Sequence, residues 1–273
     1  MSIKTFLKET KRSINKYAYL HWGVIFSNGT FSSSYYRSLK EDLKKLQEQS
    51  LSSDVKFPVS GLYPCYEDKK DNAGALMLHY FYQDLYVAQQ IFQNKPQRHI
   101  DIGSRVDGFV AHVATYREIE VFDIRPLDIS IPNVRFTQAD LMNLDEKSHE
   151  CTDSLSCLHA LEHFGLGRYG DPINFEGYLI GFKNIASLLK KGGKLYFSVP
   201  MGEQRIEFHA HRVFSLKYLI QLVSEYYSIN SFSYINDKNT FFPEIDLSVI
   251  SDKEIENNLG CRFGCAVFVL TKK

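Results

Sequence analysis

Three aspartates each follow a short apolar run in the central part of this sequence. His99-Ile-Asp-Ile-Gly103 holds Asp101 and ends in glycine, Glu118-Ile-Glu-Val-Phe-Asp123 ends in Asp123, and Val134-Arg-Phe-Thr-Gln138 leads into Asp140. A glycine directly after a strand lets the backbone take unusual φ and come close to a ligand, and the helix that follows offers free N–H groups to an anionic group. An acid at the end of the next strand, about 20 residues further on, can accept from the two hydroxyls of a ribose. Asp140, one strand later, could meet an adenine amino group. Gly103 with Ser104, Asp123 with Ile124, and Asp140 with Leu141 therefore predict a nucleoside site at three successive strand ends.

A second set of residues suits proton transfer and polar recognition. Glu162-His163 follows the run Cys151–Leu158, and Glu207-Phe-His209-Ala-His211-Arg212 lies further on. Imidazole is the side chain whose ordinary pKa lies nearest neutral pH. Between these segments, Phe164-Gly-Leu-Gly-Arg168-Tyr169-Gly-Asp171 has too many glycines for a helix interior. It predicts a shaped loop in which Arg168, Tyr169 and Asp171 hydrogen-bond a polar ligand, with His209 and Arg212 as further candidates for contacting it. If residues 207–211 were extended, Glu207, His209 and His211 would share one face. Two histidines two apart do not make a metal site by themselves, so no metal is expected.

The elements that must position these groups alternate. Strands are expected at 99–103, 118–123, 134–138, 151–158, 194–199, 228–235 and 265–271, with helices at 174–190 and 215–226. Ser215 is the expected cap of the last helix. This order implies an α/β fold: a Rossmann-like, mostly parallel seven-stranded sheet covered by helices on both faces. Residues 97–273 form that domain. Residues 1–96 read as a helical N-terminal extension, with a charged helix over 35–50, a turn-rich linker at 27–34 and an aromatic helix over 75–93 that lids the pocket. Tyr80 and Tyr82 on that helix could stack on a base or sugar, although aromatics at helical spacing more often pack in a core.

Composition narrows the classes. Lys plus Arg is 32 and Asp plus Glu is 32 among 273 residues, giving zero formal charge. A dedicated nucleic-acid binder would carry a basic excess. An aromatic content of 14% speaks against disorder. No apolar stretch approaches the roughly 20 residues of a membrane span. Residues 1–16 carry five basic residues and one acid and could touch an anionic membrane surface. Cys65, Cys151, Cys157, Cys261 and Cys265 are scattered without zinc-like spacing, and the chain begins without a leader-like segment. The expectation is reduced thiols in a cytoplasmic protein.

The ordered series Asp-Ile-Gly, Val-Phe-Asp, Gln-Ala-Asp-Leu, Leu-Glu-His and Leu-Leu-Lys-Lys-Gly-Gly-Lys-Leu resembles the class I S-adenosylmethionine-dependent methyltransferases over residues 97–273. More narrowly, His99-Ile-Asp-Ile-Gly-Ser-Arg-Val-Asp-Gly-Phe-Val-Ala-His112 and Glu162-His-Phe-Gly-Leu-Gly-Arg-Tyr-Gly-Asp171 resemble a domain-of-unknown-function family first named from nematodes. With Tyr63-Pro-Cys-Tyr and His79-Tyr-Phe-Tyr-Gln-Asp84, that likeness reaches over residues 57–215. Its bacterial relatives resemble polysaccharide-locus proteins. The resemblance implies S-adenosyl-L-methionine as cofactor and a final antiparallel strand inserted beside the fifth. It implies an O-methyltransferase acting on a sugar hydroxyl of a surface polysaccharide or its precursor. His163 would face the methyl group and act as base, Glu162 would hold its tautomer, and His211 is the reserve base. Where the larger superfamily has its second and third loop glycines, this chain has Arg105 and Asp107. Arg105 could pair with the cofactor carboxylate, bridge to Asp107 or Asp123, or block the site. Blockage would leave a non-catalytic binding module, the alternative reading. Another nucleotide-dependent enzyme acting on sugars also stays open, but the NAD pattern of glycines does not follow Gly103.

Overall fold

The computed structural model describes residues 13–14, 26–27, 30–31, 33–52, 78–144 and 149–273. The chain divides into two compact units, Met1–Ala75 and Leu76–Lys273. In the first unit, β1 (Phe26–Ser27) pairs antiparallel with β2 (Thr30–Phe31), overlapping the segment 27–34 expected to be a linker. Helix α1 (Ser33–Leu51) follows and carries a surface Lys44–Glu48 pair one turn apart. Most of the basic segment 1–16, together with Cys65, lies outside the described residues.

The second unit contains the sheet. Helix α2 (Leu78–Asn94), expected over 75–93, falls in this unit, and Val87 and Ile91 on it are fully buried. The seven expected strands all form: β3 (His99–Ile102), β4 (Ile119–Asp123), β5 (Val134–Gln138), β6 (Thr152–Leu158), β7 (Leu189–Met201), β10 (Tyr227–Ile235) and β12 (Gly264–Lys272). An outlying ladder pairs β8 (Arg205–Glu207) with β9 (His211–Val213). The sheet has eight strands rather than seven, because the short β11 (Phe241–Phe242) folds back antiparallel on β10 at the edge. The order across the sheet is β11-β10-β12-β7-β6-β3-β4-β5. Strands β5, β4, β3, β6 and β7 run parallel, and β12 is antiparallel to both β7 and β10. The last strand therefore sits beside the fifth parallel one, as the resemblance implied.

Helices cover both faces. A single π-helical turn (Val106–Val110) runs into α3 (Ala111–Ala114), and α4 (Gly177–Leu188), α5 (Leu216–Tyr226) and α6 (Asp252–Glu256) follow. Ser215 caps α5 by accepting from Tyr218 N, as expected. Ile100, Ile102, Leu155 and Phe197 face the core that holds Phe182, Ile185 and Leu188 of α4. Val121 and Tyr196 face the opposite core, which holds Val87, Ile91 and Phe109. Each such side chain contributes about 1.5–3 kcal/mol when fully buried, so the parallel strands are anchored from both sides. Lys190-Lys-Gly-Gly193 loops out of the ladder: Thr152 pairs with Leu189, and the next paired residue, Ser154, meets Lys194. Gly192 turns there at φ +76°.

Candidate active site

Strand order reverses between β3 and β6, which places a crevice beyond the carboxyl ends of those strands. A cleft opens there, lined among others by Gly103, Asp123, Asp140, His159, His163 and Tyr169. Of the residues expected to hold a cofactor, Gly103, Asp123, Ile124, Asp140 and Leu141 line it. Gly103 has φ +71°, and a Cβ there would stand 3.1 Å from Ala160 Cβ on the opposite wall.

Asp101 is wholly buried beneath the loop. Its carboxylate accepts from Ser104 N at 3.0 Å, Ser104 Oγ at 2.9 Å and Ser156 Oγ at 2.6 Å. Ser156 donates to Asp101, so it accepts from His99 Nε2 at 3.1 Å, and Ser154 Oγ serves His99 Nδ1 at 2.8 Å. This chain satisfies four buried polar side chains and fixes the loop from below. Asp101 and Ser104 thus shape the site instead of lining the cleft. Burial pushes the Asp101 carboxyl up from 3.8 to about 7, against the opposing pull of its serine partners. An acid whose folded pKa is raised binds its proton more tightly when folded. The stability contributed by this group is then fully present below about pH 4 and is lost as pH rises to about 7. Asp101→Asn should flatten that limb, worth on the order of 2–4 kcal/mol. Urea midpoints at pH 5 and pH 8 check this, and an unchanged pH slope in the variant would contradict it.

Asp123 ends β4 with its carboxylate taken by Arg125. Arg125 N and Nε donate to Oδ1 at 2.8 and 3.0 Å, and Arg125 Nη2 donates to Oδ2 at 2.6 Å. The same guanidinium lies 4.5 Å over the Tyr169 ring. Sequence reasoning missed Arg125, although an arginine two residues after a strand-end acid was a usable signal. Asp140 Oδ1 accepts from Met142 N at 2.9 Å, which sets the turn after β5. Arg105 and Asp107 pair with each other at 2.9 and 2.6 Å on the surface, with side chains 77% and 65% exposed. Neither lines the cleft, so the two glycine replacements do not fill it.

His163 sits in a tight turn (Leu161–His163) after β6, 8% exposed. Its Nδ1 donates to the Ala210 carbonyl at 2.6 Å. A carbonyl only accepts, so the proton lies on Nδ1 and Nε2 keeps its lone pair. Burial lowers the His163 pKa below the ordinary 6.5, opposed in part by the nearby Glu162 charge. Ala210, rather than Glu162, therefore holds the His163 tautomer. The Glu162 carboxylate, 1% exposed, instead accepts from His159 Nδ1 at 2.9 Å. Arg168 also donates to Ala210 O, at 3.0 Å, and stacks on Tyr169 at 5.1 Å.

The glycine-rich segment is a shaped loop. Gly165, Gly167 and Gly170 have φ of +75°, +73° and +85°. The Asp171 carboxylate accepts from Gly165 N, Gly167 N and Tyr169 N. Buried Arg212 donates to Phe164 O at 2.6 Å and Phe175 O at 3.0 Å from behind. Asp171 and Arg212, expected to contact a substrate, spend their hydrogen bonds building this wall. The extended face of Glu207, His209 and His211 does not form. His209 takes φ +65° at the tip of the β8–β9 hairpin and is exposed, and Glu207 pairs across it with His211, whose Nε2 is 3.2 Å away. The His211 and His163 rings lie 6.5 Å apart. Tyr80 approaches His159 at 5.1 Å, whereas Tyr82 stacks on Phe241.

A family model described as "Caenorhabditis protein of unknown function, DUF268" matches residues 122–258. The chain belongs to this family. In this DUF268 chain the matched region runs from the end of β4 to α6 and so holds Asp123, His163, the glycine loop and Arg212. No curated protein matches the chain. Similar solved structures include the N-methyltransferase NodS of Bradyrhizobium japonicum with S-adenosyl-L-homocysteine. It is 12% identical, with 84% of this chain and 97% of that one covered and a TM-score of 0.45. Another is the 1,6-didemethyltoxoflavin-N1-methyltransferase of Burkholderia thailandensis, 13% identical, covering 92% and 95%, with a TM-score of 0.48. A third is a TehB-like S-adenosylmethionine-dependent methyltransferase of Corynebacterium glutamicum, 13% identical, covering 87% and 100%, with a TM-score of 0.46.

Proposed function

We propose that this protein is an S-adenosylmethionine-dependent O-methyltransferase acting on a sugar hydroxyl. The observation that carries the reading is convergence. Acids at the ends of two adjacent parallel strands, Asp123 and Asp140, and a glycine at the end of a third line one cleft with a histidine whose Nε2, 3.7 Å from Glu162 Oε1, carries the lone pair that takes up a proton. The donor set suits an adenosine: Asp123 accepts from ribose hydroxyls, and Asp140 with Leu141 borders the adenine. Gly103 keeps open the space that a side chain would narrow. When bound, the cofactor supplies an activated methyl group.

The chain's own residues then have three tasks. The strand ends orient the nucleoside so that the acceptor oxygen can approach in line. The loop Phe164–Asp171, tied together by Asp171 and Arg212, keeps water from the cleft, with Tyr169 on its wall. His163 Nε2 takes the hydroxyl proton as the new C–O bond forms, while Nδ1–H stays on Ala210. The sugar class rests on the resemblance seen in the sequence, and Arg168 and Tyr169 are the polar groups placed nearest for such an acceptor. Among the described residues, the thiols of Cys151, Cys157, Cys261 and Cys265 are not in disulfides, which fits a cytoplasmic setting. Among the described residues no helix is long and apolar enough to cross a membrane.

Titration calorimetry with S-adenosyl-L-homocysteine should show one site. Asp123→Ala should weaken it by about 1–3 kcal/mol, the cost of losing charged hydrogen bonds. Unchanged affinity in the folded variant would remove Asp123 from the site. Binding of NAD in place of S-adenosyl-L-homocysteine would move the reading to another nucleotide enzyme.

A further inference from the structure

A second chemical cluster stands against the cleft wall and is not used by methyl transfer. His79 near the start of α2, His159 just after β6 and Cys265 near the start of β12 bring one ligand atom each within 4.8 Å of one another. The three come together because β12 inserts beside β7. Cys265 pairs with Pro200, and His159 N donates to Ser198 O on the same strand. His79 is 8% exposed and Cys265 is fully buried.

His159 is the group that points to a ligand. Its side chain is 6% exposed, and its Nδ1 donates to the Glu162 carboxylate at 2.9 Å. Its Nε2 is buried without a hydrogen-bond partner, a bare polar atom whether or not it carries a proton, although, against burial, Cys265 and Glu162 beside the ring raise its pKa well above 6.5. A buried polar atom left bare is costly unless something binds it. The Cys265 thiol stands nearby, with long contacts of 3.6 Å to Ala266 O and 3.7 Å to Gln83 Oε1. Histidine with one nitrogen on a carboxylate and the other bare is the arrangement that orients metal-bound imidazoles. Two imidazole nitrogens and one thiolate form a borderline-soft set suited to zinc.

We propose that His79, His159 and Cys265 bind one zinc ion, with Glu162 fixing His159 from behind. Zinc bond lengths place tetrahedral ligand atoms about 3.3–3.6 Å apart, so the three side chains draw in by about an ångström on binding. The ion ties α2 to the carboxyl end of the sheet. His159 also lines the cofactor cleft, so the ion stands against the cleft wall and keeps a fourth position for water or another ligand. The proposal does not depend on methyl transfer.

The test is metal content of the full chain, purified without a histidine tag and measured by plasma mass spectrometry as isolated and after dialysis against zinc. One zinc per chain is expected. After chelation, cobalt(II) should restore one equivalent with a thiolate-to-cobalt charge-transfer band and the visible bands of a tetrahedral site. Cys265→Ser should lose the charge-transfer band and His79→Gln should lose most of the bound metal, both checked for folding by circular dichroism. Cys151→Ser, outside the cluster, should keep both signals. Zinc well below one equivalent in the dialysed wild type, a cobalt spectrum without the thiolate band, or full retention in both cluster variants would overturn the proposal. The wild-type measurements decide it even if a variant fails to fold.

Discussion

His163→Ala is expected to fold, to bind S-adenosyl-L-homocysteine as the parent does, and to lose on the order of 10²-fold in turnover, the low end of what a positioned general base contributes. The fold is expected to survive because the ring makes one backbone hydrogen bond and an edge contact with Tyr169. Loss of turnover with binding intact separates a base from a wall residue. The pH profile adds a second readout. Burial lowers the His163 pKa below 6.5, and only the neutral ring can accept a proton. Turnover should therefore hold as pH falls through 6.5 and decline only below it. Glu162→Gln should leave this limb in place, because Ala210 rather than Glu162 sets the ring's tautomer. His211→Ala should cost less than His163→Ala, since the His211 ring is 6.5 Å from His163 and its Nε2 faces Glu207. Near-full turnover in His163→Ala with a large loss in His211→Ala would transfer the role to His211.

The second large effect is structural. In Gly165→Ala the new Cβ would stand 2.0 Å from Asn174 O, a backbone atom that cannot swing aside. Asn174 N also donates to Gly165 O at 2.9 Å, so the two segments are locked together. The left-handed φ costs a non-glycine residue about 1–2 kcal/mol, and the forced backbone shift adds about 1–3 kcal/mol. A fall in Tm of roughly 5–20 °C follows for a unit of this size, with weakened cofactor binding as the cleft wall moves. Gly170→Ala is the internal control. Its φ is +85°, but nothing lies within 4 Å of its Cβ position, so only the conformational cost applies. Equal shifts in Tm for the two variants would show that the Asn174 contact does not restrain the loop.

The α/β sheet was legible because most of its buried strands are short apolar runs closed by Gly, Pro or Asp, and because Lys190-Lys-Gly-Gly193 marks the turn after which the paired part of β7 resumes at Lys194. The edge strand β11 was not, since two phenylalanines carry no period. That Gly103, Asp123 and Asp140 share one cleft was legible for a topological reason: parallel strands deliver their carboxyl ends to one side, so the acids at 123 and 140 must meet near Gly103. Side-chain pairing was less accessible. Asp123 with Arg125, and Arg105 with Asp107, are neighbours two residues apart whose partners were open until the backbone fixed them. The hairpin over 205–213 defeated the alternation expected of Glu207, His209 and His211, because His209 adopts a left-handed φ that no spacing rule announces. The trio His79, His159 and Cys265 has no local spacing at all, and it exists only because β12 enters the sheet beside β7.

The most direct measurement is a crystal structure of the protein grown with S-adenosyl-L-homocysteine. The ligand is expected across the ends of β3, β4, β5 and β6, with ribose hydroxyls on Asp123, adenine beside Asp140 and Leu141, and its sulfur turned toward His163. A ligand bound elsewhere, or a cleft that stays closed by Arg125 on Asp123 at saturating ligand, would contradict this expectation.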